Sequence, residues 1–180
     1  MRVVTLPAML TAKAKAFWPL LFLLTFADCT TKRLAEEHLM RHVPHQVVGD
    51  VVRFTLAYNP GAAFSFSLGE YSRVGFTVIA LCVLIALGSV YRSTASQDRL
   101  QAIALALVAG GALGNMMDRF RSPGGTYRGV VDFIDIGVSG WRFWTFNLAD
   151  VGVTVGAVLL ALLLLKRGND QPTEPSTASN

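Results

Sequence analysis

Apolar residues gather in four blocks along the chain, at about 14–34, 71–91, 100–117 and 149–165, with polar stretches between them. At ~1.5 Å rise per residue, roughly 20 residues cross the ~30 Å hydrocarbon layer of a bilayer, and each block is near that length. The pattern predicts a mainly α membrane protein with four transmembrane helices in a single integral domain over residues 1–167. One polar stretch differs from the others. At about 43–66 the chain is rich in β-branched and aromatic residues around a Gly49-Asp50 turn signal, and Asn59-Pro60-Gly61 closes it. That predicts a small β-sheet lying on the membrane surface. Residues 168–180 have almost nothing apolar to bury and read as a disordered tail.

Composition narrows the class. A 180-residue chain that is 52% hydrophobic, with a mean hydropathy of +0.45, is too apolar for an ordinary soluble domain. The net charge of +4 is scattered among the loops, so no nucleic-acid partner is expected. Cys29 and Cys82 fall inside apolar blocks, where a thiol packs as a small group; their separation suits neither a metal site nor a disulfide. Lys13 and Lys15 would suit a cleaved signal peptide. The apolar run after them, however, enters Asp28 and Lys32 with no small-x-small cleavage site, so the block reads as a retained anchor.

Four spans place both termini on one side. That side carries Arg2, Lys13, Lys15, Arg92, Arg99, Lys166 and Arg167, and the remaining nine of the 16 basic residues lie opposite. The positive-inside rule therefore gives no orientation. The short loop on the termini side and the two long connections opposite, about 35–70 and 118–148, favour termini in the cytoplasm.

Charged and amide side chains at the edges of these blocks need partners or a task. Asp28 and Lys32 are four apart and share a helix face, either as a self-neutralising boundary pair or as a scaffold for a site. Asn115, Asp118 and Arg119 share another face, with Asp118-Arg119 read as a structural pair. Gly110 with Gly114, and Gly152 with Gly156, have small-xxx-small spacing and predict close packing of the third and fourth spans. Asn147 reads as the N-cap of the fourth span, with Asp150 in its first turn. Asp132 lies among Val130, Val131, Phe133 and Ile134, surroundings that would keep its proton on if it is buried. A helix N-terminus favours an ionised carboxylate at Asp150. Asp132 and Asp150 therefore suit an aspartic peptidase pair, one protonated and one charged, which titrates as a unit. Asp135 reads as a solvated loop acid. Two carboxylates suffice for this chemistry, so no metal or organic cofactor is expected.

Five ordered segments carry a resemblance. They are Asp28-x-x-x-Lys32, Asn59-x-Gly61-Ala62-Ala63-Phe64, the run from Gly110 to Asn115 with Asp118-Arg119, Val130-Val131-Asp132-Phe133, and Phe146-Asn147-x-Ala149-Asp150. Over about residues 15–165 the chain resembles the lipoprotein signal peptidases, the bacterial type II signal peptidases. The resemblance implies four helices, a small extracytoplasmic β-sheet and a catalytic dyad of Asp132 and Asp150 facing the periplasmic side. Asn59, Asn115, Arg119 and Asn147 would line or support the site, with Asp28 and Lys32 as further support. It also implies diacylglyceryl-prolipoprotein substrates, cut on the N-terminal side of the modified cysteine, in the bacterial inner membrane with cytoplasmic termini. Membrane lipid and globomycin-like inhibitors are the other expected partners. Glycines in 59–69 and 122–125 predict a lid. The rival readings are an ion or proton path through the same charges, for which no internal repeat is visible, and a purely structural membrane protein.

Overall fold

A computed structural model describes residues 11–60, 62–63, 66–67, 71–121, 129–138 and 140–169. The first helix, α1 (Ala12–His38), starts where the Thr11 hydroxyl accepts the Ala14 N–H and tolerates Pro19 in its interior. Two strands follow, β1 (His45–Val48) and β2 (Val52–Asn59), and then a short hairpin, β3 (Ala62–Ala63) with β4 (Phe66–Ser67). Next come α2 (Ser72–Ser93), α3 (Arg99–Phe120), β5 (Val130–Val138), β6 (Trp141–Arg142) and α4 (Leu148–Asn169). The main sheet is antiparallel in the order β1-β2-β5-β6.

The long β5 strand is a departure from the sequence pattern, which leaves 118–148 as a connection. Its partner β2 lies over seventy residues earlier, with Ala57 opposite Asp132 and Asn59 opposite Val130. Gly129 makes the entry to β5 possible: its φ is +123°, and a Cβ there would lie 2.6 Å from the Asn59 carbonyl carbon. Only glycine fits that crossing. Residues 170–180, which hold most of the expected tail, lie outside the described residues, as do residues 122–128 and most of 61–70, where the lid was expected.

Among the described residues, three helices are long and apolar enough to cross a membrane: Ser72–Ser93, Arg99–Phe120 and Leu148–Arg167. At 27 residues α1 has the length, but Lys13, Lys15, Asp28 and Lys32 dilute its apolar character. The central helix is α3, packed against α1, α2 and α4. Its Ala102, Ala104, Leu105 and Ala106 are completely buried, whereas Val78, Ile79 and Ile85 of α2 and Val155, Val158 and Leu162 of α4 are exposed. Small side chains on α3 let the neighbouring backbones approach closely. A Cβ on Gly111 would overlap the Ala149 carbonyl oxygen, and one on Gly156 would come within 2.8 Å of the Ala104 carbonyl oxygen. The predicted closeness of α3 and α4 is thus present, with one correction: Gly110 faces α1, at the Leu21 carbonyl, and Gly111 is the glycine turned to α4.

Candidate active site

The site lies where the start of α4 meets β5, the second half of α1 and the C-terminal end of α3. Its arrangement follows from a short pairing upstream of α4. Phe146 forms a bridge to Ile134, its N–H donating to the Ile134 carbonyl at 3.0 Å and its carbonyl accepting from Ile134 at 2.8 Å. This holds the next residue, Asn147, beside Asp132.

Asn147 caps α4 as its position predicts. Its Oδ1 accepts the Asp150 N–H at 3.0 Å, and the Asp150 carboxylate accepts the Asn147 N–H at 3.2 Å. That is a reciprocal capping box with Asn and Asp as its members. The Asn147 side chain also has a second task. Its Nδ2 donates to Asp132 Oδ1 at 2.6 Å, to the Val131 carbonyl at 3.2 Å and to Asn115 Oδ1 at 3.1 Å. Fully buried, this one residue joins the carboxylate on the strand to the carboxylate on the helix.

Behind the two carboxylates lies a buried charge cluster. Lys32 Nζ is 2.7 Å from Asp28 and 2.9 Å from Asp118, and it donates to Asn115 Oδ1 at 2.9 Å. Asp28 and Lys32 have no solvent exposure. The scaffold reading of this pair is therefore the one the geometry supports, since each member reaches another element. Asp28 accepts the Ala149 N–H at 2.9 Å, satisfying a helix-start donor that would otherwise be orphaned. Asp118 accepts the Val131 N–H at 3.2 Å, next to Asp132. With Asn115 Oδ1 occupied by Lys32 and Asn147, its Nδ2 is turned to Asp150 Oδ1, at 2.8 Å.

The environment separates the two carboxylates. Asp132 is 5% exposed, and burial, followed by the nearby charge of Asp150, pushes it up to about 7. Hydrogen bonds from Asn147 and Asn59 and the charge of Lys32 act the other way. Asp150 is half-buried, in the first turn of α4.

Seven of the eight residues singled out in the sequence thus join one network: Asp28, Lys32, Asn59, Asn115, Asp132, Asn147 and Asp150. Arg119 lies at the edge of this network, against α2. It donates to the Asn115 carbonyl at 2.9 Å and lies over the Phe76 ring, and its own carbonyl accepts from Arg73. Asp118, read as the partner of Arg119, pairs with Lys32; its place three residues after Asn115, on the same helical face, was the available signal. Asp135 is not a solvated acid. It is 7% exposed, takes a 2.6 Å bond from Arg142 and accepts from the Thr55 hydroxyl at 3.1 Å. Among the described residues no three His, Cys, Asp or Glu side chains are grouped as a metal site would require.

Known proteins resemble this chain in sequence and in fold. The family model described as signal peptidase (SPase) II matches residues 20–166. The chain belongs to the signal peptidase II family. A lipoprotein signal peptidase of Coxiella burnetii (strain Dugway 5J108-111) is 36% identical over 169 residues, which are 91% of this chain and 100% of that protein. One from Ectopseudomonas mendocina is 41% identical over 153 residues, covering 83% and 88%. A bacterial membrane enzyme solved by the in meso method at 2.3 Å resolution superposes with a TM-score of 0.74 at 28% identity, over 88% of this chain and 93% of that one. Membership of the signal peptidase II family makes this chain a membrane peptidase and excludes the purely structural reading.

Proposed function

We propose that Asp132 and Asp150 are the catalytic dyad of this peptidase and that it cuts prolipoproteins on the N-terminal side of the diacylglyceryl-modified cysteine. The observation that carries the dyad is the Asn147 bridge, which fixes one carboxylate against the other with a 2.6 Å bond to Asp132 and a 3.2 Å bond to Asp150. Asp150, at a helix N-terminus, takes a proton from the attacking water. Asp132, which burial keeps protonated to about pH 7, gives its proton to the carbonyl oxygen as charge develops there. On collapse that oxygen returns a proton to Asp132 while Asp150 passes the proton taken from water to the departing amine. Asn59 and Asn115 orient the two acids, and Asn147 holds them together. No step calls for a cofactor.

The same reading makes α1 the fourth span. Its charges support this, because Asp28 and Lys32 turn inward to α3 and α4 and leave Phe22 and Phe26 facing outward. Termini in the cytoplasm of a bacterial inner membrane would place the sheet and the dyad on the periplasmic side, where a diacylglyceryl anchor holds its scissile bond. Globomycin-like cyclic peptides would then compete for this site. The test is cleavage of a purified diacylglyceryl prolipoprotein by wild type, Asp132→Asn and Asp150→Asn. Each variant is expected to lose at least about 10²–10⁴-fold in rate, the usual contribution of a general acid or base. Normal cutting by either variant would remove that aspartate from the dyad.

A further inference from the structure

Outside the polar network, the seam between α1 and α3 carries a second feature. Phe22, Phe26, Cys29 and Met117 line an apolar cleft of about 320 Å³ that ends at Arg33. The Cys29 sulfur lies 3.6 Å from that of Met117, joining the two helices along the cleft. From position 22 to position 33 the cleft runs ~16 Å along α1. Its volume is at the small end of the ~300–1,000 Å³ range of ligand sites, enough for part of one extended chain.

Arg33 supplies the polar end. It is exposed, and among the described residues no carboxylate pairs with it, whereas Arg121 pairs with Glu36 at 2.8 Å and Arg142 with Asp135 at 2.6 Å. A guanidinium at the mouth of an apolar cleft matches a molecule that carries an acyl chain and a phosphate together. The diacylglyceryl group of a prolipoprotein is uncharged and offers Arg33 only ester carbonyls, with no phosphate for a charge-assisted bond. We propose that this cleft holds one glycerophospholipid, with an acyl chain along Phe22, Phe26 and Met117 and its phosphate on Arg33. The proposal rests on α1 being a membrane span. It also sets a depth: Arg33 is five residues beyond Asp28, ~7.5 Å along the helix, and Asp28 holds the Ala149 N–H beside Asp150. The carboxylates would therefore lie just beneath the phosphate layer.

The test is native mass spectrometry of the full chain released from detergent micelles containing graded amounts of phosphatidylglycerol or of diacylglycerol. Wild type is compared with Arg33→Gln, with Arg33→Lys, and with Thr30→Phe, which fills the cleft from its α1 wall. Prolipoprotein cleavage is measured on the same samples. Wild type should saturate with one phosphatidylglycerol and retain no diacylglycerol. Arg33→Gln and Thr30→Phe should each lower the bound fraction about tenfold, Arg33→Lys less, and all should still cleave. Equal retention by wild type and Arg33→Gln, binding that never saturates, or equal retention of diacylglycerol would overturn the proposal. Loss of cleavage by wild type itself would count against the peptidase reading alone, because lipid retention is read separately.

Discussion

Asp132 is 5% exposed beside a second carboxylate, and both circumstances favour its protonated form, with burial the larger. Two pH effects follow. If Asp132 works as the acid, cleavage should fall as pH rises through about 7, which a pH profile of kcat/KM would show. Stability should move in the same direction. The folded chain holds this proton to a higher pH than the unfolded chain, so the native state binds more protons between about 4 and 7. The contribution is complete below the unfolded value and is lost as pH rises through the folded one. An amide at this position stays neutral and can still accept from Asn147. Asp132→Asn should therefore lose activity yet melt higher than wild type at pH 8, with the advantage much smaller at pH 5. Thermal melts at the two pH values decide this, and equal differences at both would show that Asp132 does not hold its proton. Residue identity made much of this legible, because apolar neighbours flank Asp132 in the sequence itself. Asp135 has apolar neighbours too, yet its partners Thr55 and Arg142 lie on other strands, and no local pattern announces them.

At the scale of elements, the buried lysine matters more than either carboxylate next to it. Lys32 neutralises two acids and fixes the Asn115 amide, so Lys32→Met would leave Asp28 and Asp118 buried without a cation. Breaking a buried pair in this way costs about 3–5 kcal/mol. Asp28→Asn should cost less, since an amide oxygen can still accept the Ala149 N–H. Melting both variants in the same detergent tests the order, and a smaller loss for Lys32→Met would contradict it. The helix seam makes a second comparison. Gly111→Ala must push α3 from α4 at the Ala149 carbonyl, one residue before Asp150, for about 1–3 kcal/mol and a fall in cleavage rate. Gly88→Ala meets nothing within 4 Å and should leave the rate unchanged without lowering the melting temperature. Both glycine pairs were visible as spacing, but which glycine faces which helix depends on helix rotation, which spacing leaves open. The β5 strand was harder still. Residues 130–136 read as an apolar run interrupted by acids, and the strand exists because β2, folded far earlier in the chain, offers it an edge. The helices were legible because each is a local pattern of membrane length; the sheet core was not, because its pairing is non-local.

For the whole molecule, orientation is where the sequence alone is least informative, since its basic residues divide almost evenly between the two sides. The geometry supplies a different constraint. The loop joining α2 to α3 meets the start of α1, where Lys13 donates to the Thr94 carbonyl at 2.6 Å and its N–H to the Ser96 carbonyl at 2.9 Å. The sheet lies at the other end of α1, where Arg41 bridges to Leu56. With α1 as a span, residues 11–13 and 96 share one face of the membrane and the β1–β2 hairpin the other. Single cysteines at Gln46 and Ser96, both exposed, report this directly once Cys29 and Cys82 are changed to Ser. In intact cells with a permeable outer membrane, an impermeant maleimide should label Gln46→Cys and spare Ser96→Cys until the inner membrane is opened. The reverse pattern would put the carboxylate pair in the cytoplasm, away from any exported prolipoprotein. Labelling of both at once would mean that α1 does not cross. Because Asp28, Lys32 and the start of α4 are joined through α1, that result would also remove the bilayer from around the dyad and leave its buried charges to be explained by packing alone.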